Sequence, residues 1–279
     1  MGRADRRMIL KQTMAEVARG GIDLRASSSD QSWAVIAETR ILIDILDGHA
    51  PTRASKAAEK AHEFFELSLK RNASGTSVEC AKGCAFCCYV PVSALAPEIF
   101  LIANTIRARP AAERDTSAAR IRGAMQVMRG LSHYERLRQK LACGLLENNA
   151  CSAYGARPGP CRGMASTSVR ACERAFGGAS VPVPTPMVWS TVRNAHLQAL
   201  MAALTAVGLP SESYELNEAV AVALDTADAE SRWLKGEDVL AGVGRLHMGT
   251  DNPAIVENNR KVIAQLVAGA LGKELPSTG

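Results

Sequence analysis

Aromatic residues are scarce, at 4% of 279 positions, while Ala is abundant, a composition that points to closely packed helices. No apolar run reaches the roughly 18 residues a membrane span needs: ILIDIL is broken by Asp44, and VAVAL is followed by Asp225. The N-terminal stretch MGRADRRMILKQTMAEVARGG is interrupted by Lys11, Gln12 and Thr13, so it lacks the continuous core of a secretory signal. A soluble, cytoplasmic protein without a membrane partner is expected. Also missing are a P-loop, a Rossmann fingerprint and a G-x-S-x-G elbow, which leaves little basis for a hydrolase or a simple oxidoreductase. No internal repeat is visible. Cysteine is absent before position 80 and after position 172, and this asymmetry locates the chemistry.

Periodicity gives a mainly α fold with a central irregular cysteine-rich region and little or no sheet. Three segments follow: a helical 1–75, a cysteine-cluster domain at 76–178 with a helical insertion, and a helical 179–279. In the first, helices are expected over about 5–19, ending at Gly20-Gly21, from an N-cap at Asp30 to near Gly48, and over about Thr52 to Arg71. The second helix carries Ala34, Ala37, Ile41 and Ile45 on one stripe, the third Ala61, Phe64, Phe65 and Leu69. YVPVSALAP reads as extended, with Pro97-Glu98 opening a helix and a further helix over about Ala111 to Arg129. CGLLENNACSAYGARPGPC reads as a tight loop, with room for a short hairpin of its LL and SAY pieces. VPVPTP at 181–186 is a stiff connector; helices over 187–207, 212–226 and from Asn252-Pro253 to about Leu271 complete the chain.

Four of the eight cysteines, Cys80, Cys84, Cys87 and Cys88, fall within nine residues, and Cys143, Cys151, Cys161 and Cys172 follow. Thiolates are soft ligands, a bound cation deprotonates them outright, and close spacing lets neighbouring sulfurs converge on one point. A reducing compartment and the vicinal Cys87–Cys88 pair both argue against a disulfide framework. Metal binding is therefore preferred over inert buried thiols or disulfides, with all eight cysteines as candidate ligands. They could build two four-cysteine zinc sites, one such site with spare ligands, or an iron-sulfur cluster. His49, His62, His133, His196 and His247 fall in predicted helices or their ends without ligand-pair spacing and read as surface or core residues. The formal charge of +5 counts cysteines as neutral and shrinks once thiolates form; with basic residues scattered among acidic ones, nucleic-acid binding is not expected.

The pattern Cys80-x3-Cys84-x2-Cys87-Cys88, then Cys143-x7-Cys151-x2-Tyr154-x2-Arg157-Pro158-x2-Cys161-Arg162, resembles the YkgJ-like cysteine-cluster family over roughly residues 79 to 163. That resemblance implies a zinc- or iron-chelating domain. Cys172 lies beyond the motif, as an extra ligand or a spectator. Arg157 and Arg162 could bond thiolate sulfurs and offset site charge, or pair with surface carboxylates. Tyr154 is expected to pack under the loop, Pro158 to fix the approach of Cys161, and Gly83 to admit backbone N–H groups to sulfur or to make a turn. Glu79, next to Cys80, could serve as a ligand or base, with solvent exposure the expectation. The triplet Cys80-x3-Cys84-x2-Cys87 also has the spacing of radical S-adenosylmethionine enzymes, and the flagellin lysine methylases resemble the same family. The alternative is therefore an S-adenosylmethionine-dependent iron-sulfur enzyme acting on an unidentified protein substrate.

Overall fold

A computed structural model describes residues 2–81, 83–246 and 250–273, so His247 lies outside the described residues. Helix accounts for 62% and strand for 4% of the chain, as the composition implied. The first three helices are α1 (Arg3–Gly20), α2 (Ser28–Leu46) and α3 (Arg53–Asn72). Gly21 stops α1 in the left-handed region (φ 65°) and sits where a Cβ would fall 2.4 Å from the Ser68 hydroxyl. The N-cap of α2 is Ser27 rather than Asp30: its hydroxyl accepts the Asp30 N–H, placing Asp30 in the first turn, where its charge complements the helix dipole. The single stripe expected for α2 is also too narrow. Ile36, Glu38, Thr39, Leu42, Ile43 and Leu46 are buried alongside Ala34 and Ala37, whereas Ile41 and Ile45 are half-buried, because α2 contacts α1, α3 and later helices at once.

Strand β1 (Ser93–Leu95) leads into α4 (Ala96–Arg107), followed by α5 (Ala111–Met128) and the short α6 (His133–Arg138). Hairpin strands β2 (Leu146–Glu147) and β3 (Ala150–Cys151) precede α7 (Gly159–Arg162) and α8 (Val169–Phe176). The carboxy-terminal part contains α9 (Met187–Ala206), β4 (Ser213–Glu215), α10 (Leu216–Asp225), α11 (Ala229–Trp233), β5 (Arg245–Leu246) and α12 (Pro253–Ala270). The helix expected from 212 thus begins four residues late. Ser213–Glu215 instead pairs antiparallel with β1, Ala94 opposite Tyr214, and with β5 on its other side.

Helices α2, α3, α9 and α12 pack together on one side, and α4, α5 and α10 on the other, with α3 against α4 joining them. One apolar cluster runs through both, from Leu42 and Ala61 through Ile99 and Phe100 to Leu200, Val220 and Trp233. Small Ala side chains at its centre allow close helix approach, which is what the low aromatic content anticipated. The buried carboxylates of this frame are paired, whereas the Trp233 indole N–H and His62 Nδ1 are buried without a hydrogen-bond partner. Glu230 accepts from the Ser55 N–H (2.6 Å), the Ser55 hydroxyl (2.9 Å) and the Asn104 amide (2.8 Å). His196 joins Glu38 (2.7 Å) to Ser68 (3.1 Å), an order that imitates a hydrolytic relay. Ser68 is fully buried and its oxygen accepts the Ile22 N–H, so this is a sealed strut between α2, α3 and α9.

Candidate metal centre

After α3 the chain runs irregularly to Cys80. Glu79 pairs its N–H with the Ser166 carbonyl (3.0 Å), and the Ser166 N–H donates to the Cys80 sulfur (3.1 Å). Gly83 (φ 102°) turns the chain, with open space where its Cβ would be, and the Cys84 N–H closes that turn on the Ala81 carbonyl. A 3₁₀ turn, Phe86–Tyr89, then carries Cys87 and Cys88. Short elements of this kind bury little apolar surface, so cross-links to the frame must hold them.

The second group of cysteines is pinned to the first. The Cys143 N–H donates to the Cys88 carbonyl (2.8 Å), and Gly144 donates to the buried Asn217 side chain (2.7 Å). Asn148 and Asn149 (φ 48° and 57°) make the two-residue turn between β2 and β3, a conformation Asn tolerates better than most residues. The expected hairpin is therefore present, with Ala150–Cys151 rather than SAY as its second strand and Cys151 opposite Leu146. Pro158 caps α7 and sets Cys161 in its single turn, as expected. Gly159 donates to Glu98 (2.6 Å) and lies where a Cβ would meet Leu197 at 3.0 Å.

Cys172 lies on α8, a helix the sequence reading did not anticipate. Ser168 caps it, and exposed Glu79 accepts the Val169 N–H (2.7 Å). Phe176 packs its ring on Phe86 (5.6 Å) and Tyr89 (4.8 Å), with the Lys140 ammonium over its face. These contacts bring the helix against the turn that carries Cys87 and Cys88.

All eight cysteines are free thiols, and all but Cys172 line one cavity of about 270 Å³. Among the described residues no three Cys, His, Asp or Glu side chains form a ready-made ion cage; the thiols ring a space instead of meeting at a point. Burial pushes the Cys143 thiol up to about 12 and raises Cys80, Cys151 and Cys161 as well. Backbone N–H groups of Leu145, Ala153 and Ser166 work in the opposite direction on Cys143, Cys151 and Cys80. Cys87, at the exposed edge, is brought down to about 6, chiefly by a hydrogen bond from Cys88, whose own thiol is pushed up by that bond and then by burial.

The donor set fits zinc or iron: soft sulfurs, amides aimed at three of them, and enclosed thiols at Cys80, Cys143, Cys151 and Cys161 whose ionisation burial opposes and a cation would favour.

The two motif arginines divide between their expected roles. Arg157 stacks on Tyr154 (4.0 Å to the ring centre) and its charge favours ionisation of Cys87, Cys151 and Cys161. Arg162 is turned away from sulfur: it donates to Glu66 (2.6 Å), the Arg157 carbonyl (2.9 Å) and the Gly155 carbonyl, buckling the loop to α3. Tyr154 is 37% exposed, a rim residue under a guanidinium rather than packing beneath the loop. Sequence reasoning missed Glu98, which accepts from Gly159, His62 and the Leu95 N–H; only its place in the first turn of α4 hinted at a capping role.

Residues 79–177 match the family model described as CxxCxxCC, putative zinc- or iron-chelating domain. The likeness is confined to this segment. The chelating domain spans about a third of the chain and extends past the motif at 79–163 to include α8 and Cys172. No curated protein and no solved structure matches the chain.

Proposed function

We propose that the chain is a cytoplasmic metal-binding protein whose chelating domain holds zinc or iron, alone or as an iron-sulfur cluster, through cysteine thiolates. One observation carries this reading: Cys80, Cys84, Cys87, Cys88, Cys143, Cys151 and Cys161, supplied by segments 54 residues apart and more, face a single cavity. Bound metal would supply the positive charge that lets enclosed thiols ionise, and it would order loops with little apolar surface of their own. Among the described residues no helix is long and apolar enough to cross a membrane. An S-adenosylmethionine-dependent iron-sulfur enzyme would need the same cavity to accept a nucleotide-bearing cofactor beside its cluster. At about 270 Å³ the cavity lies near the lower end of small-molecule sites, and its lining is dominated by seven thiols, which metal binding uses directly.

The test is anaerobic purification followed by metal and sulfide analysis. Stoichiometric zinc or iron that falls in Cys84→Ser and Cys161→Ser is the expected result. A folded, metal-free protein with oxidised cysteines would overturn the reading.

A further inference from the structure

We infer that Arg157, held by the Tyr154 ring, is the hydrogen-bond donor and counter-cation of the metal-loaded thiolates, and that Tyr154 serves metal binding through Arg157 alone. The inference rests on the metal-binding reading and deepens it by naming two residues outside the sulfur set on which the site depends. Arg157 lines the cavity of the seven thiols, yet among the described residues no carboxylate, carbonyl or sulfur accepts its side-chain N–H groups, and its Nε is buried. A buried guanidinium N–H without an acceptor is uncommon, because no water replaces the missing partner.

The other polar side chains of the cavity wall are already engaged. Arg136 donates to the Leu131 carbonyl (3.2 Å) and pairs with Glu215 (2.9 Å), Arg162 takes Glu66 (2.6 Å), and Asn217 is held between Gly144 (2.7 Å) and Glu215 (3.1 Å). What the cavity leaves for Arg157 is sulfur. A neutral thiol accepts a hydrogen bond weakly, whereas a thiolate accepts a charge-assisted one. Metal loading converts the first into the second, so the acceptor that Arg157 lacks is one that loading creates. Four thiolates around a divalent ion also carry about two excess negative charges, and among the described residues that line the cavity Arg157 is the cation with no carboxylate of its own.

The guanidinium is fixed in advance from two directions. The Arg157 carbonyl accepts the Arg162 Nε–H (2.9 Å), which sets the backbone, and Tyr154, in the 3₁₀ turn Tyr154–Ala156, lays its ring 4.0 Å from the guanidinium carbon. The two residues stand three apart, the spacing at which side chains of a 3₁₀ turn eclipse. The Tyr154 hydroxyl makes no hydrogen bond among the described residues, so the ring is the part that acts. Tyr154 is thus a positioning residue for Arg157.

The test is a competition titration of the full chain, loaded anaerobically with Zn²⁺, against a chromophoric chelator. Arg157→Gln should weaken zinc binding by about 10–100-fold, the effect of removing a partner that hydrogen-bonds a ligand, and Arg157→Lys, which keeps the charge without the planar fork, should recover part of it. Tyr154→Phe should bind as the unaltered protein does, and Tyr154→Ala should bind more weakly. Tyr154→Ala combined with Arg157→Gln should bind no more weakly than Arg157→Gln alone. In the Co²⁺-loaded protein the thiolate-to-cobalt charge-transfer band should move to lower energy in Arg157→Gln, a shift that a purely structural role would not produce. If Arg157→Gln loses its helical dichroism, Arg157→Lys carries the same test, with an intermediate shift expected. Unchanged affinity and an unmoved band in the folded variant, or additive losses in the double variant, overturn the inference while metal binding stands. Failure of the unaltered protein to take up Zn²⁺ or Co²⁺ overturns both.

Discussion

In the helical frame, Glu38, Glu98 and Glu230 are buried with His, hydroxyl or amide partners in place; in the chelating domain, Cys143 and Cys161 are enclosed with their ionisation opposed first of all by burial. The frame pairs its buried carboxylates and buries a continuous apolar cluster, so most of its order comes from its own residues. The cysteine loops are built from a 3₁₀ turn, a two-residue hairpin and a single-turn helix, none of which stands alone. Their order comes from outside: the frame supplies part of it, and on the proposed reading a bound cation would supply the rest.

Removing the metal should expose that difference most strongly. Structural zinc in small peptides is worth about 10–16 kcal/mol, so chelator treatment should release residues 79–177 to protease and to rapid hydrogen exchange. The helices α2, α3, α9 and α12 should keep their protection. Collapse of the frame at the same chelator concentration, seen as lost helical dichroism, would show that the two regions are one cooperative unit.

A smaller break is available at the seam. Glu98 is 1% exposed and accepts from Leu95 and His62 in the frame and from Gly159 in the loop. Glu98→Ala leaves those donors buried without partners, and a loss of about 3–5 kcal/mol in denaturant unfolding is expected, the range found when one member of a buried polar network is deleted. Because Gly159 lies two residues before Cys161, metal should also leave this variant faster than the unaltered protein.

Long, periodic elements were legible from sequence because their own residues dictate them: α5, α9 and α12 fall within two residues of expectation, and Asn252-Pro253 caps α12 as read. What escaped was set by tertiary partners. Ser213–Glu215 is a strand only because β1 and β5 flank it, and α8 is a helix of eight residues that Glu79 and Ser168 cap from either side of the domain. The ligand candidates were readable as a crowd of thiols, but their grouping depends on which backbone amide meets which carbonyl across 54 residues, information that spacing does not hold. His62 and His196 were expected to be core or surface residues; burial beside Glu98 and Glu38 decides for the core.

The mildest test addresses contact without charge. Gly144, one residue after Cys143, lies where a Cβ would come 2.7 Å from the Ile121 backbone on α5 and 3.1 Å from the Ala124 methyl. The nearer neighbour is main chain in mid-helix and cannot rotate aside, so Gly144→Ala must shift the loop away from α5 and strain its bond to Asn217 (2.7 Å). Overpacking of this kind costs about 1–3 kcal/mol, less than the loss of Glu98. The displacement acts next to Cys143 but removes no sulfur, so the metal-loaded protein should keep its full complement while its unfolding midpoint falls. Unchanged stability would mean that the loop rests on the metal alone and that the frame merely lies beside it.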